Sequence, residues 1–111
     1  MDNLQTISTP EEVRTLPVQK EVNGFRQEYR LTIYGDRHGT FKEYYPTGEL
    51  FLQKQYVNGK EEGTAYCYGI NGKPLTQFFY KNGNWHGVFE LFDCNGNVYK
   101  HFNYDNGRLI E

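Results

Sequence analysis

The sequence predicts an all-β protein: a single-layer antiparallel β-meander of 24-residue, two-strand repeats, with a short capping helix at its N-terminus. Three observations carry this expectation. Eleven of the 12 glycines lie on one 24-residue lattice: Gly39, Gly63 and Gly87; Gly24, Gly48, Gly72 and Gly96; Gly35, Gly59, Gly83 and Gly107. The same spacing relates Tyr56, Tyr80 and Tyr104, relates Tyr44, Tyr68 and Phe92, and relates Phe41, Ala65 and Phe89. Finally, one Ala stands against 12 Gly, 10 Tyr and 8 Phe. Ala is the best helix former and Gly among the worst, whereas Tyr and Phe suit strands.

The elements follow in order. Residues 1–14 precede the repeats, and Thr9-Pro10-Glu11-Glu12 has the composition of a helix start: a capping hydroxyl, Pro in the first turn, carboxylates at the positive end. Val13 and Leu16 would form the apolar side of that helix, which is expected to cap the first sheet edge. Residues 15–111 form the repeat domain, with a degenerate first unit at about 15–37 and full units at about 38–60, 61–84 and 85–108. In the last of these, Gly87–Asp93 and Val98–Tyr104 read as strands. Six Asn-Gly pairs, at 23–24, 58–59, 71–72, 82–83, 95–96 and 106–107, read as type I′ hairpin turns, because both residues tolerate positive φ. Pro46 and Pro74 sit beside turns, where a missing N–H costs little. Along the last unit Phe89 and Leu91 point one way and Val88 and Phe92 the other, so both faces carry apolar groups. With no helix long enough to cover either, a curved trough that packs aromatics of neighbouring repeats side by side is expected. Arg108–Glu111 is a stub strand or a tail.

The pattern Gly-x-aromatic-x-x-Tyr/Phe-x-x-x-Gly, then a strand and Tyr-x-Asn-Gly-x-x-x-Gly, resembles the MORN repeat in its bacterial variant form. Tyr56-Val57-Asn58-Gly59 through Gly63, Tyr80-Lys81-Asn82-Gly83 through Gly87, and Tyr104-Asp105-Asn106-Gly107 carry the resemblance. Where standard units often place a second glycine, this chain has Phe41, Ala65 or Phe89, which favours the variant type. The resemblance implies an antiparallel repeat sheet that binds rather than catalyses. It also implies two kinds of partner: toxins, for bacterial members described as antitoxins or immunity proteins, and phospholipid membranes, for some eukaryotic members.

Charge and chemistry narrow the function classes. Twelve basic and 14 acidic residues leave a net charge of −2, without the basic stripe of a nucleic-acid or membrane-surface binder. Arg26, Arg30 and Arg37 interleave with Glu21, Glu28 and Asp36, so nucleic acid is not expected as a partner. No basic start followed by an apolar run opens the sequence, and no run is long enough to cross a membrane; a cytoplasmic chain is expected. Cys67 and Cys94 fit no metal spacing and are expected as free thiols. His38 and His86 share a lattice position with Glu62, but repeats spaced by two strands, about 10 Å, cannot bring them to one metal ion. His101 and Cys94 lack an orienting third group. The acids Glu43, Glu49, Glu61, Glu62 and Glu90 are scattered, and the glycines are spaced as turns rather than as a phosphate loop. No catalytic residue, cofactor or metal is expected.

The aromatic excess is the suggestive feature. Trp85 falls where other repeats have Glu61 and Arg37, so it is expected at least partly exposed. Trp is strongly enriched at interface hot spots. With His86 beside it, and Phe79, Tyr99 and Tyr104 on nearby strands, it marks the expected contact patch for another protein. The expected function is a protein-binding repeat module, an antitoxin- or immunity-type neutraliser or adaptor; the alternative is a phospholipid- or membrane-surface module.

Overall fold

Turn chemistry recurring every 24 residues leaves the chain little choice but to reverse direction each half-repeat, and it does. A computed structural model describes residues 13–110, and every regular element in it is a strand. These are β1 (Thr15–Val22), β2 (Phe25–Thr32), β3 (Gly39–Tyr44), β4 (Leu50–Val57), β5 (Lys60–Glu61), β6 (Gly63–Tyr68), β7 (Pro74–Lys81), β8 (Asn84–Trp85), β9 (Gly87–Phe92), β10 (Val98–Asp105) and β11 (Arg108–Leu109). They form one antiparallel sheet in the order β1-β2-β3-β4-β6-β7-β9-β10-β11, with β5 on β4 and β8 on β7. Neighbours in sequence are neighbours in space, as a meander requires. The helix start at Thr9–Glu12 lies outside the described residues. Leu16, assigned to the apolar side of that helix, instead sits in β1 opposite Leu31 of β2. Its flanking Pro17 and Val18 suit an extended backbone better than a helical one.

All eleven lattice glycines have positive φ, and Gly69, the one off the lattice, does not. At Gly39, Gly63 and Gly87 no atom would meet an added Cβ, so backbone conformation rather than close packing is what demands glycine. These three bend a strand between its short start and its main run, which separates β5 from β6 and β8 from β9.

The six Asn-Gly turns divide into two kinds. Asn23, Asn58, Asn82 and Asn106 have positive φ with their glycines, as a two-residue type I′ turn requires. At 71–72 and 95–96 only the glycine does. There the N–H of Gly69 donates to Lys73 O at 2.8 Å, and that of Asp93 to Asn97 O at 2.8 Å. These bonds close a longer loop with the glycine last, and Asn stays right-handed.

The degenerate first unit departs from the lattice in one consequential way. Tyr56 stands opposite Glu61 and Tyr80 opposite Trp85, but it is Leu31, not Thr32, that bridges to Arg37. The connection is one residue longer because Gly35 closes a three-residue loop (Gly35 N to Thr32 O 2.9 Å, Thr32 N to Asp36 O 2.8 Å). Asn23-Gly24 meanwhile makes the two-residue turn. Gly24 and Gly35 keep their spacing but exchange turn types. A slip of one residue moves every side chain of a strand to the other face. Tyr29, whose lattice equivalent is Gln53, thereby joins Phe41 on the aromatic face, where the two rings stack at 5.6 Å.

The core is thin and lies on that face. Tyr29, Phe41, Tyr56 and Ala65 are its buried apolar residues, with Val18, Leu31 and Leu52 packed around them. Ladder partners share a face, so Phe41 with Lys54, Ala65 with Phe78, and Phe89 with Phe102 continue the row along the sheet. Tyr56, Tyr80 and Tyr104 make ring contacts within their own surroundings rather than with one another. Glu61 stands against Tyr56, Trp85 against Tyr80 and Leu109 against Tyr104.

Candidate binding surface

The aromatic face is finished differently at its two ends. Toward β2–β4 two cations cover the rings. The Arg37 guanidinium lies 4.6 Å from the centre of the Tyr29 ring, 5.6 Å from Phe41 and 5.8 Å from Tyr56. Its buried Nε has no hydrogen-bond partner among the described residues, so ring faces hold it there. The Lys54 ammonium sits 5.3 Å from Tyr56, 5.4 Å from Phe41 and 5.8 Å from Tyr80, and donates to Glu61 Oε2 at 3.3 Å. To reach Tyr80 on β7 from β4, its arm crosses β6 at Ala65, which is 0% exposed. A phenylalanine there, as at Phe41 and Phe89, would block the path. Burial pushes Lys54 toward neutrality, but the Tyr56 hydroxyl, Tyr80 and Glu61 outweigh it and hold the ammonium above the ordinary lysine value. Phe41 is left 4% exposed.

Toward β7–β10 the positions equivalent to Arg37 and Lys54 hold no cation, and Lys100 covers only the outlying Phe102 ring, at 5.4 Å. The position of Arg37 and Glu61 holds Trp85, and the position of Lys54 holds Phe78 and Phe102. Phe78 stacks on Phe89 at 4.8 Å, and Trp85 contacts Phe89 at 5.0 Å, Tyr104 at 5.2 Å and Phe78 at 6.1 Å. None of these four rings is buried, and Trp85 is 37% exposed. Leu109, opposite Tyr104, extends the apolar surface.

Of the five residues expected at the contact patch, the structure brings together Trp85 and Tyr104. His86 points its ring at the backbone: Nδ1 accepts from the N–H of Asn106 at 3.2 Å, with Asp105 Oδ1 3.7 Å away. His38 does the same for Asn58 at 3.0 Å, and Glu62 accepts from Asn82 with both oxygens at 3.0 and 2.9 Å. The shared lattice position of His38, Glu62 and His86 is thus an acceptor that ties the start of each repeat to the type I′ turn at its end. Phe79 alternates with Phe78 and Tyr80 along β7 and so lies on the opposite face, 41% exposed. Tyr99 is the unpaired residue of the β10 bulge, between Val98 and Lys100, and is 63% exposed. Phe78 and Phe89 belong to the cluster and were not expected there. The signal was there in the spacing: Phe89 is itself on the 24-residue lattice, and Phe78 stands two residues before Tyr80 and so shares its face.

The opposite face mixes polar groups with the rings of Tyr44, Tyr66, Tyr68 and Phe79. Glu28 accepts from Gln19 at 2.9 Å and from the Tyr44 hydroxyl at 3.3 Å, and the Arg26 guanidinium lies 4.4 Å over the Tyr44 ring. The Gln19 amide, then Tyr44 and Arg26, lower the Glu28 carboxylate below its usual range against an opposing effect of burial. Cys67 is half-buried and Cys94 exposed, and both are free; burial pushes the Cys67 thiol up. No described helix is long and apolar enough to cross a membrane.

The family model of the MORN repeat variant matches residues 37–58, which span β3, its turn and β4. No curated protein and no solved structure matches the chain. Residues 37–58 are therefore a MORN repeat of the variant type, and units of the same two-strand design, spaced by 24 residues, make the chain an array consistent with the MORN-repeat family.

Proposed function

We propose that the chain is a non-catalytic, cytoplasmic protein-binding module that docks its partner on the rings where the last two repeats meet, Phe78, Trp85, Phe89 and Tyr104. MORN repeats are a repeat type that binds proteins and membranes. Within that range, an antitoxin- or immunity-type neutraliser or adaptor is the reading we favour. The observation that supports it is the contrast along one face. Equivalent positions are sealed by Arg37 and Lys54 at one end and stay open, lined by aromatic rings, at the other. Large aromatic side chains in a partly desolvated cluster are the anchors on which protein interfaces concentrate their affinity.

Trp85→Arg tests this. It places at Trp85 the residue found at the equivalent position 37, whose guanidinium covers rings while keeping them packed. The variant should fold, with stability within about 1 kcal/mol of the parent. Binding to a partner captured from the source cells should weaken by about 2 kcal/mol, roughly 30-fold. Unchanged affinity in a folded Trp85→Arg protein would remove the aromatic patch as the binding site.

A further inference from the structure

Each repeat hands its second strand to the first strand of the next. β4 receives β6 through Leu52–Cys67 and Gln53–Tyr66, and β7 receives β9 through Thr76–Leu91 and Gln77–Glu90. The entry to each pairing is one hydrogen bond, from Glu62 N to Gln55 O at 2.9 Å and from His86 N to Phe79 O at 2.8 Å. On β10 the same entry is already made, from Ile110 N to Asn103 O at 2.8 Å. Beyond it, among the described residues, only Tyr104 and Asp105 have ladder partners on that side, in β11.

The Asn103 carbonyl thus points outward, and alternation along a strand turns the N–H and C=O of His101 outward as well. These groups face away from β9 in the positions that Gln53 and Gln77 use to pair with β6 and β9. An edge of this kind is a template for an added strand. One residue on it is out of pattern. Lys100 lies on the aromatic face, its ammonium 5.4 Å from the Phe102 ring, where the equivalent residues are Leu52 and Thr76. A charge on the apolar face of an edge strand discourages indiscriminate pairing. An antiparallel pairing of two β10 strands centred on Lys100 would oppose two ammonium groups.

We propose that the outer edge of β10 receives an extended segment of the partner protein as an antiparallel strand, with an acidic residue opposite Lys100 and an apolar residue opposite Phe102. The register follows from β7 and β9. Thr76, equivalent to Lys100, faces Leu91, and Phe78, equivalent to Phe102, stacks on Phe89. The side chain opposite Phe102 therefore continues the aromatic row beside Trp85, and the acid neutralises Lys100 within reach of its ring. The proposal rests on the protein-binding reading for the class of partner, but it places the contact on backbone groups of the edge rather than on the rings.

The probe is a capped synthetic peptide copying Gly87–Phe92 with Leu91→Glu, compared with the Leu91→Lys peptide. With the full chain, hydrogen exchange followed by NMR should show the His101 amide slowed about 10-fold or more by the glutamate peptide and much less by the lysine peptide. Two variants separate the causes. His101→Pro removes an outward N–H without removing a ladder bond to β9, so the chain should stay folded and lose the protection. Lys100→Glu should reverse the preference between the two peptides. Protection elsewhere in the chain, equal response to both peptides, or binding that survives His101→Pro would overturn the proposal. So would a dimer in sedimentation that His101→Pro dissolves, since the edge would then belong to a second copy. Trp85→Arg leaves this edge intact, so loss of partner binding in that variant and loss of peptide binding at the edge are distinguishable failures.

Discussion

Glu62→Ala should show how much the tie between the start of a repeat and its type I′ turn contributes. Glu62 accepts the N–H of Asn82 with both carboxylate oxygens, at 3.0 and 2.9 Å. That N–H belongs to a turn whose Asn has φ of 51°, a conformation that L-residues other than Asn and Asp rarely hold. Hydrogen bonds to a charged acceptor are worth about 1.5–3 kcal/mol, and the partial exposure of this one lowers the figure to about 1 kcal/mol. For a domain of this size that is a fall in Tm of about 4–6 °C. The Asn82 amide should also exchange faster with solvent, while that of Asn106, held by His86, should not. Glu62→His supplies the acceptor that His38 and His86 use at the equivalent positions, at 3.0 and 3.2 Å, and should recover most of the loss. Thermal melts and amide exchange on the three proteins decide the matter. If Glu62→Ala melts with the parent, or if Glu62→His is as damaged as Glu62→Ala, the shared position does not tie a repeat to its turn.

Two further outcomes follow from the faces of the sheet. Ala65→Phe restores the side chain found at Phe41 and Phe89 but obstructs the crossing of Lys54 to Glu61 and Tyr80; it should cost about 1–3 kcal/mol in urea unfolding, and a variant as stable as the parent would show that the path is not occupied. Glu28 has a folded-state pKa below its ordinary 4.5, so its stabilising effect is fully present above that value and is lost as pH falls through the folded pKa. The stability gap between the parent and Glu28→Gln should therefore be full at neutral pH and shrink as the pH falls below the ordinary 4.5; a gap that stays constant would deny Glu28 its role.

Much of this architecture was legible in the residue order. The spacing of Gly39, Gly63 and Gly87 marked the strand bends, and the pairs at 58–59, 82–83 and 106–107 marked the type I′ turns; all of these residues have the positive φ that the reading required. Strand positions in the full repeats follow from the same punctuation. The candidate site was legible only in part. Trp85 stood out because its equivalents are charged, and it does join Tyr104 in a ring cluster. The grouping of Phe79 with them failed because proximity in sequence ignores the two-residue period of a strand, which sends Phe79 to the face opposite Phe78. The hydrogen bond made by His86 was not legible because its donor, the N–H of Asn106, lies 20 residues away.

What the sequence by itself determined is the set of positions where the backbone must turn left-handed, because only Gly and Asn hold positive φ cheaply; that constraint is local, and it dictates a meander. What only the tertiary structure decided is register. One additional residue in the loop closed by Gly35 shifts β2 against the lattice, turns Tyr29 onto the aromatic face and brings its ring under Arg37. Nothing in the spacing of Gly24 and Gly35 distinguishes a two-residue turn from a three-residue loop. That choice depends on which pairing of β2 buries its aromatic side chain against Phe41, a contact between strands that forms only when the sheet does.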